Sequence, residues 1–147
     1  MNDTVPALTV RQPWAELILQ GRKQIELRTW STPHRGLLWL HAASRTDDDA
    51  ITRFALGRQF TGGYVGAVDI AAIVLLDEHR WNAWKDSHLS GAYHPGLYGW
   101  LVANPVRFAT PIPAAGRQKL FTPDNALQSA LHAAYQAANT GDPNDRS

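Results

Sequence analysis

A chain of 147 residues fits one domain, and with 44% hydrophobic against 18% charged residues it holds too much apolar material for intrinsic disorder. Lys and Arg total 14 and Asp and Glu 13, leaving +1, so a protein that coats nucleic acid by overall charge is excluded and any such surface is a local patch. Cysteine is absent, which removes disulfides, thiolate zinc sites, iron–sulfur clusters and a cysteine nucleophile.

Ala7 to Val10 reads as a short strand. Pro13 then stands where a first helical turn tolerates it, and Trp14, Leu17 and Ile18 follow at helical spacing, so a helix is predicted from Pro13 to Gln20, stopped by Gly21. Gln24 to Trp30 alternates as a half-buried strand: Ile25, Leu27 and Thr29 share one face, and Gln24, Glu26, Arg28 and Trp30 the other. Thr32 to Gly36 is a turn, and the apolar run Leu37 to Ala43 is a central strand holding His41. Thr46 or Asp47 caps a short helix running to about Leu56.

After Gly62-Gly63, residues Tyr64 to Leu76 form one bent strand or two. Glu78 to Ser87 is expected as one short helix carrying Trp81 and Trp84, followed by a loop from Gly91 to Gly96. Tyr98 to Phe108 is strand-like, broken at Asn104-Pro105. Thr122-Pro123-Asp124 starts a C-terminal helix, about 123–139, whose Leu127, Leu131, Tyr135 and Ala138 lie on one face. Residues 141–147 read as a loose tail. Short strands separated by turns, with helices at the start, middle and end, predict an α+β fold, a small β-barrel decorated by helices, in one domain over 1–140. Regular strand–helix alternation, GxGxxG and GxxxxGK[ST] are all missing, so dinucleotide and P-loop binding have no support. The N-terminus carries no basic-then-apolar signal pattern, and the longest apolar run, Ile70 to Leu76, is too short to span a bilayer. No membrane partner is therefore expected, and the absence of cysteine is compatible with a reducing, cytoplasmic setting.

Charge is unevenly spread. From Arg11 to Arg45 there are six bases and two acids, a local +4, interleaved with Trp14, Trp30 and Trp39; from Asp47 to Asp86 seven acids face four bases, a local −3. A basic segment with aromatics is one footprint of nucleotide binding, and a solvated face over core tryptophans is the other reading. Within it, Glu26 and Arg28 share a strand face and Lys23 stands at the strand's entry. A Lys, a carboxylate and an Arg on one cavity suit an anionic, polar ligand: the cations neutralise phosphate, and the carboxylate accepts from a base amine or works as an acid or base. The same trio also reads as a closed ion network. Arg11 and Gln12 lie at a strand-to-helix junction, where phosphate contact competes with helix capping. Trp14 reads first as core and Trp30 as the candidate for base stacking. His41 reads as a hydrogen-bonded core histidine. Arg35 belongs to a solvent-facing turn, with phosphate contact as its second reading. His88 and His94 bracket a loop that is either a lid or plain surface. Asp47-Asp48-Asp49 fits helix capping, and no His/Asp/Glu spacing matches a metal site.

The stretch Gly21-x-Lys23-x-x-Glu26-x-Arg28 resembles the GxKxxExR signature of the ASCH domain family. Arg11-Gln12-Pro13-Trp14-Ala15 before it, and Trp30 to Gly36 with Leu38 to Ala42 after it, are similar to that family's coactivator-type branch. Gly66-Ala67-Val68-Asp69 resembles its later barrel strand, and the likeness covers about Leu8 to Pro123. The resemblance implies a PUA-like barrel with a cleft lined by the signature residues. It also implies a role in RNA metabolism or nucleic-acid binding, with some members deacylating modified cytidine and others acting as nucleases. The deacylases place a threonine nucleophile three residues after the motif lysine; here that position is Glu26, and Glu78 is the only other glutamate downstream.

The leading expectation is a domain that binds RNA, single-stranded DNA or a nucleoside. Arg11, Lys23, Arg28 and Arg35 would meet phosphates, Gln12 and Glu26 a base edge, and Trp30 would stack. The alternative is a hydrolase of acylated cytidine, or a ribonuclease, with Lys23 and Glu26 as its catalytic pair. A small-molecule sensor or protein-interaction module is a third reading. No metal and no cofactor are expected.

Overall fold

A computed structural model describes residues 3–140. The expected tail at 141–147 lies outside the described residues. In chain order the elements are β1 (Ala7–Gln12), α1 (Trp14–Leu19), β2 (Ile25–Arg28), β3 (Gly36–Thr46), α2 (Asp48–Arg53), β4 (Gly63–Leu75), α3 (Glu78–Ala83), α4 (Lys85–His88), β5 (Tyr98–Pro113), β6 (Leu120–Phe121) and α5 (Asn125–Thr140). The strands form one sheet in the order β2-β5-β4-β3-β1-β6, with β1 and β3 parallel and every other neighbour antiparallel.

The α+β class holds, but the expected barrel does not close: β2 and β6 are free edges. The sheet nevertheless curls, because the Arg28 side chain of β2 reaches the Thr9 carbonyl of β1, four places along the strand order, at 3.0 Å. Register shifts supply the bend, one in the β1–β3 ladder, one in β3–β4 and three in β4–β5. At one of them Gly66 lies so close to the Val106 carbonyl that a Cβ would collide with backbone. That explains the glycine in an otherwise apolar strand.

The run Leu37 to Ala43 is apolar throughout because β3 is covered on both faces. Leu38, Leu40 and Ala42 pack with Leu8, Val10, Ile18, Val68, Ile70 and Trp100 under α1. Trp39 faces the other way, into a cluster with Tyr64, Phe108 and Leu131 under α5. A smaller cluster of Leu76, Trp81 and Leu97 lies beneath α3 and α4.

Several boundaries differ from the sequence reading. The single helix expected over 78–87 is two, broken at Trp84. β5 runs through Asn104-Pro105 to Pro113, with Asn104 taking the break as a left-handed residue at φ 53°. β6 is a two-residue strand with no periodicity to announce it. The C-terminal helix spans Asn125–Thr140, and Asp124 accepts from the Leu127 amide at its start. Among the described residues, no helix is long and apolar enough to cross a membrane.

Candidate functional site

The seam between β2 and β1 opens into a cavity of about 870 Å³. β2 brings Glu26, Leu27 and Arg28 to it, the chain after β2 brings Thr29 and Trp30, and Lys23 enters from the turn after α1. The opposite wall is Thr9, Val10 and Arg11 of β1 with Ala43, Ser44 and Arg45 from the end of β3. Arg117, Gln118 and Lys119 pass across from the segment before β6. That segment is held close by Gly116: a Cβ there would lie 2.5 Å from both the Thr9 Oγ1 and the His41 Cε1, so only glycine lets the chain cross at this height.

The three residues singled out for convergence do converge. Glu26 is buried and accepts two hydrogen bonds on Oε2 from Arg28, from Nε at 3.0 Å and Nη2 at 2.7 Å. Its Oε1 faces the Lys23 ammonium at 3.8 Å, too long for a hydrogen bond. Lys23, only 2% exposed, donates to the His88 carbonyl at 2.6 Å and stands 4.8 Å from the centre of the Trp14 ring. Burial lowers the Lys23 pKa from 10.5 to about 8; the Glu26 charge opposes the shift, and Arg28 and Arg53 add to it. The trio is thus a partly closed ion network that still lines an open cavity.

Six cations border the space, Arg11, Lys23, Arg28, Arg45, Arg117 and Lys119, against two carboxylates, Glu26 and Asp47. Asp47 is engaged: Oδ1 accepts the Ala50 amide as the cap of α2, and Oδ2 accepts the Trp14 indole N–H at 3.0 Å. Arg11, Arg45, Arg117 and Lys119 are exposed and make no ion pair among the described residues. Trp14 and Trp30 are half-buried in the lining. The Trp30 carbonyl accepts from the Trp100 indole at 3.2 Å, and the two rings meet edge to face at 4.9 Å, so this wall is fixed.

Two expected site residues lie elsewhere. Gln12 is buried, with Nε2 donating to the Phe60 carbonyl at 3.0 Å and Oε1 accepting the Glu16 amide at 2.9 Å. Both ends of its amide are occupied, and capping of α1 outweighs base reading. Arg35 is exposed and folds back on its own turn, donating to the Thr32 and His34 carbonyls, so it does not reach the cavity. Trp30 lines the cavity from beyond the end of β2 rather than from the strand face.

His41 is buried and doubly bonded. Its Nε2 lies 2.7 Å from the Ala114 carbonyl, which fixes that nitrogen as the donor, and Nδ1 is 3.3 Å from the Thr9 hydroxyl. Burial lowers its pKa, keeping it neutral. His88 is fully buried and stacked on Trp81 at 3.9 Å, and its carbonyl holds Lys23, so it belongs to the support of the site; His94 is exposed. Sequence reasoning passed over Arg45, Arg117 and Lys119. The run Gly116-Arg117-Gln118-Lys119 was the available signal, two bases after a glycine in a segment with no element of its own.

The curled six-strand sheet with its helices places the chain with the ASCH domains. Residues 8–112 match that family, and the chain belongs to it. The chain is 26% identical over 130 residues to Activating signal cointegrator 1 of Homo sapiens and 25% identical to the Mus musculus protein of that name. Each alignment covers 82% of this chain and 22% of the relative, so the chain spans about a fifth of the length of these curated relatives. The crystal structure of ASCH from Zymomonas mobilis superposes with a TM-score of 0.64 at 14% identity, over 88% of this chain and 94% of the other. A tyrosine-to-phenylalanine variant of it gives the same score over 89% and 98%. This is a likeness of fold.

Proposed function

We propose that the seam cleft binds single-stranded nucleic acid, RNA or DNA, with phosphates held by Arg11, Arg45, Arg117 and Lys119 and a base seated toward Trp14, Trp30 and Glu26. The observation that carries this reading is the open cavity's excess of cations, four of them exposed and unneutralised, beside two fixed indole walls. Family membership supports it, since ASCH domains are associated with nucleic-acid interaction. A nucleobase needs a flat apolar wall and a polar floor, and the cleft supplies both: Glu26 Oε1 accepts no hydrogen bond among the described residues and offers a lone pair to an exocyclic amine.

The test is titration of a labelled single-stranded octanucleotide by fluorescence anisotropy. Native protein binds, and affinity falls steeply between about 50 and about 200 mM salt as each released counterion gains less entropy in more concentrated salt. The triple variant R45Q/R117Q/K119Q flattens the log–log salt slope by about 2, three phosphates at roughly 0.7 each. Equal binding and equal slope in the triple variant overturn the assignment.

A second reading rests on Lys23. An amine with a pKa near 8 is about one-tenth unprotonated at pH 7, and it sits beside a carboxylate in a cleft that admits a nucleoside. That pair suits hydrolysis of an acylated cytidine, or of RNA, with Glu26 as acid or base. Incubation of native protein with an acylated cytidine and with labelled RNA, metals chelated, checks it. Turnover lost by at least about 100-fold in Glu26→Gln supports the enzyme, because a positioned acid or base contributes on that scale; no turnover by native protein removes it.

A further inference from the structure

The cationic lining does not end at the cavity rim. On the outer side of Trp14 lies Phe54, the residue that closes α2, with ring centres 5.6 Å apart and an edge-to-face angle of 77°. Two guanidiniums lie over that ring, Arg53 at 4.7 Å and Arg22 at 5.6 Å from its centre. They come from different parts of the chain, one from the turn between α1 and β2 and one from the last turn of α2. Both arginines are exposed, and neither forms an ion pair among the described residues. Continuity with the cleft is direct: Lys23, whose ammonium sits over Trp14, feels the Arg53 charge, and Arg22 is its chain neighbour.

A ring that holds two guanidiniums without neutralising them leaves their N–H edges free and already ordered. Arginine gives up less freedom per bond than lysine when it meets phosphate, and a guanidinium held on an aromatic face gives up less still. A nucleoside monophosphate seated in the cleft would not need this flank. A strand would, because its backbone must continue past one wall, and the Trp14 wall carries two further unpaired cations, Arg22 and Arg53, beyond the cavity lining.

We propose that the bound strand leaves the cleft over Trp14 and that Arg22 and Arg53, ordered by Phe54, hold the phosphate of the adjoining nucleotide, so the ligand is a continuous single strand and not an isolated nucleotide. This rests on the nucleic-acid reading of the cleft. Surface cation–π pairing that serves only to anchor α2 is the competing role, and it makes a different prediction.

The experiment compares two probes on the full chain, a labelled single-stranded octanucleotide in RNA and DNA form and the four nucleoside 5′-monophosphates. R22Q/R53Q is expected to weaken octanucleotide binding about tenfold and to flatten its salt slope by about 0.7, the share of the one phosphate they hold, with monophosphate binding unchanged. Phe54→Leu, which keeps apolar volume and removes the ring face, is expected to weaken the octanucleotide about threefold, with both arginines still present but unordered. Thermal melting confirms that each variant is folded. Native-like octanucleotide affinity and slope in R22Q/R53Q overturn the proposal, as does an equal loss for the monophosphates; a lowered melting temperature alone assigns these residues to α2. If octanucleotide binding survives R22Q/R53Q but falls in R45Q/R117Q/K119Q, the cleft reading stands and only the exit path is lost. If native protein binds neither probe, both are overturned.

Discussion

Lys23 is the residue whose chemistry is most altered by its surroundings. Its ammonium gives up water for one carbonyl hydrogen bond, a carboxylate at 3.8 Å and an indole face, and the exchange leaves its pKa near 8. In the unfolded chain the group titrates near 10.5, so between about pH 8 and 10.5 the unfolded state binds more protons than the folded one. Below pH 8 both states are protonated, and the burial penalty is present in full. As pH rises through the window the folded state sheds its proton first, and stability from this group increases. Lys23→Met removes the titration. Native stability relative to Lys23→Met should therefore rise between pH 8 and 10.5, by at most on the order of 3 kcal/mol. Urea unfolding of both proteins at several pH values measures it; a flat difference across the window refutes the low pKa. The sequence placed Lys23 beside Glu26 and Arg28 by spacing alone. It did not show that Lys23 is held by the His88 carbonyl, because that partner is 65 residues away and belongs to a short helix with no charge pattern pointing back.

At the scale of elements, what was legible was local. The strand at β2, the helical spacing in α1 and α5, and the Asp47 cap of α2 all follow from neighbours within a few residues, and each element stands as expected apart from its ends, although burial along β2 does not alternate. What was illegible depended on distant contact. β5 continues through Asn104-Pro105 because β4 pairs with it on both sides of the irregularity. β6 exists because Leu120 and Phe121 meet Leu8 and Ala7, an alignment no two-residue window announces. Gln12 and Arg35 show the same limit at the site. Residue type suited both to a ligand, yet Gln12 is occupied by Phe60 and the start of α1, and Arg35 by its own turn. Arg45 and the Arg117-Lys119 pair join the cleft only because β3 ends, and the chain before β6 crosses, at the same seam.

For the whole molecule, the open sheet and the cation-lined cleft are one feature. A closed barrel would zip β2 to its neighbour with backbone bonds and leave no gap; here, among the described residues, the Arg28 side chain bridges from β2 to β1. Arg28 spends one guanidinium edge on Glu26 and one N–H on the Thr9 carbonyl, so it ties the short edge strand to the far side of the sheet while leaving space around it. A net charge of +1 is compatible with a local cationic surface, because six of the 14 Lys and Arg residues border this opening against two carboxylates. The bridge has a measurable consequence. Arg28→Met keeps the stem and removes every hydrogen bond, and it leaves Glu26 with only the distant Lys23 ammonium. Global stability should fall by about 1–3 kcal/mol, the cost of stranding a charged acceptor. Hydrogen exchange locates the loss. Amides of β2 should exchange faster by more than the global change requires, since this four-residue edge strand then relies on β5 alone. Amides of β3 and β4, paired on both sides, should follow the global change only. Uniform acceleration across the sheet would mean that Arg28 contributes to overall stability without holding the seam.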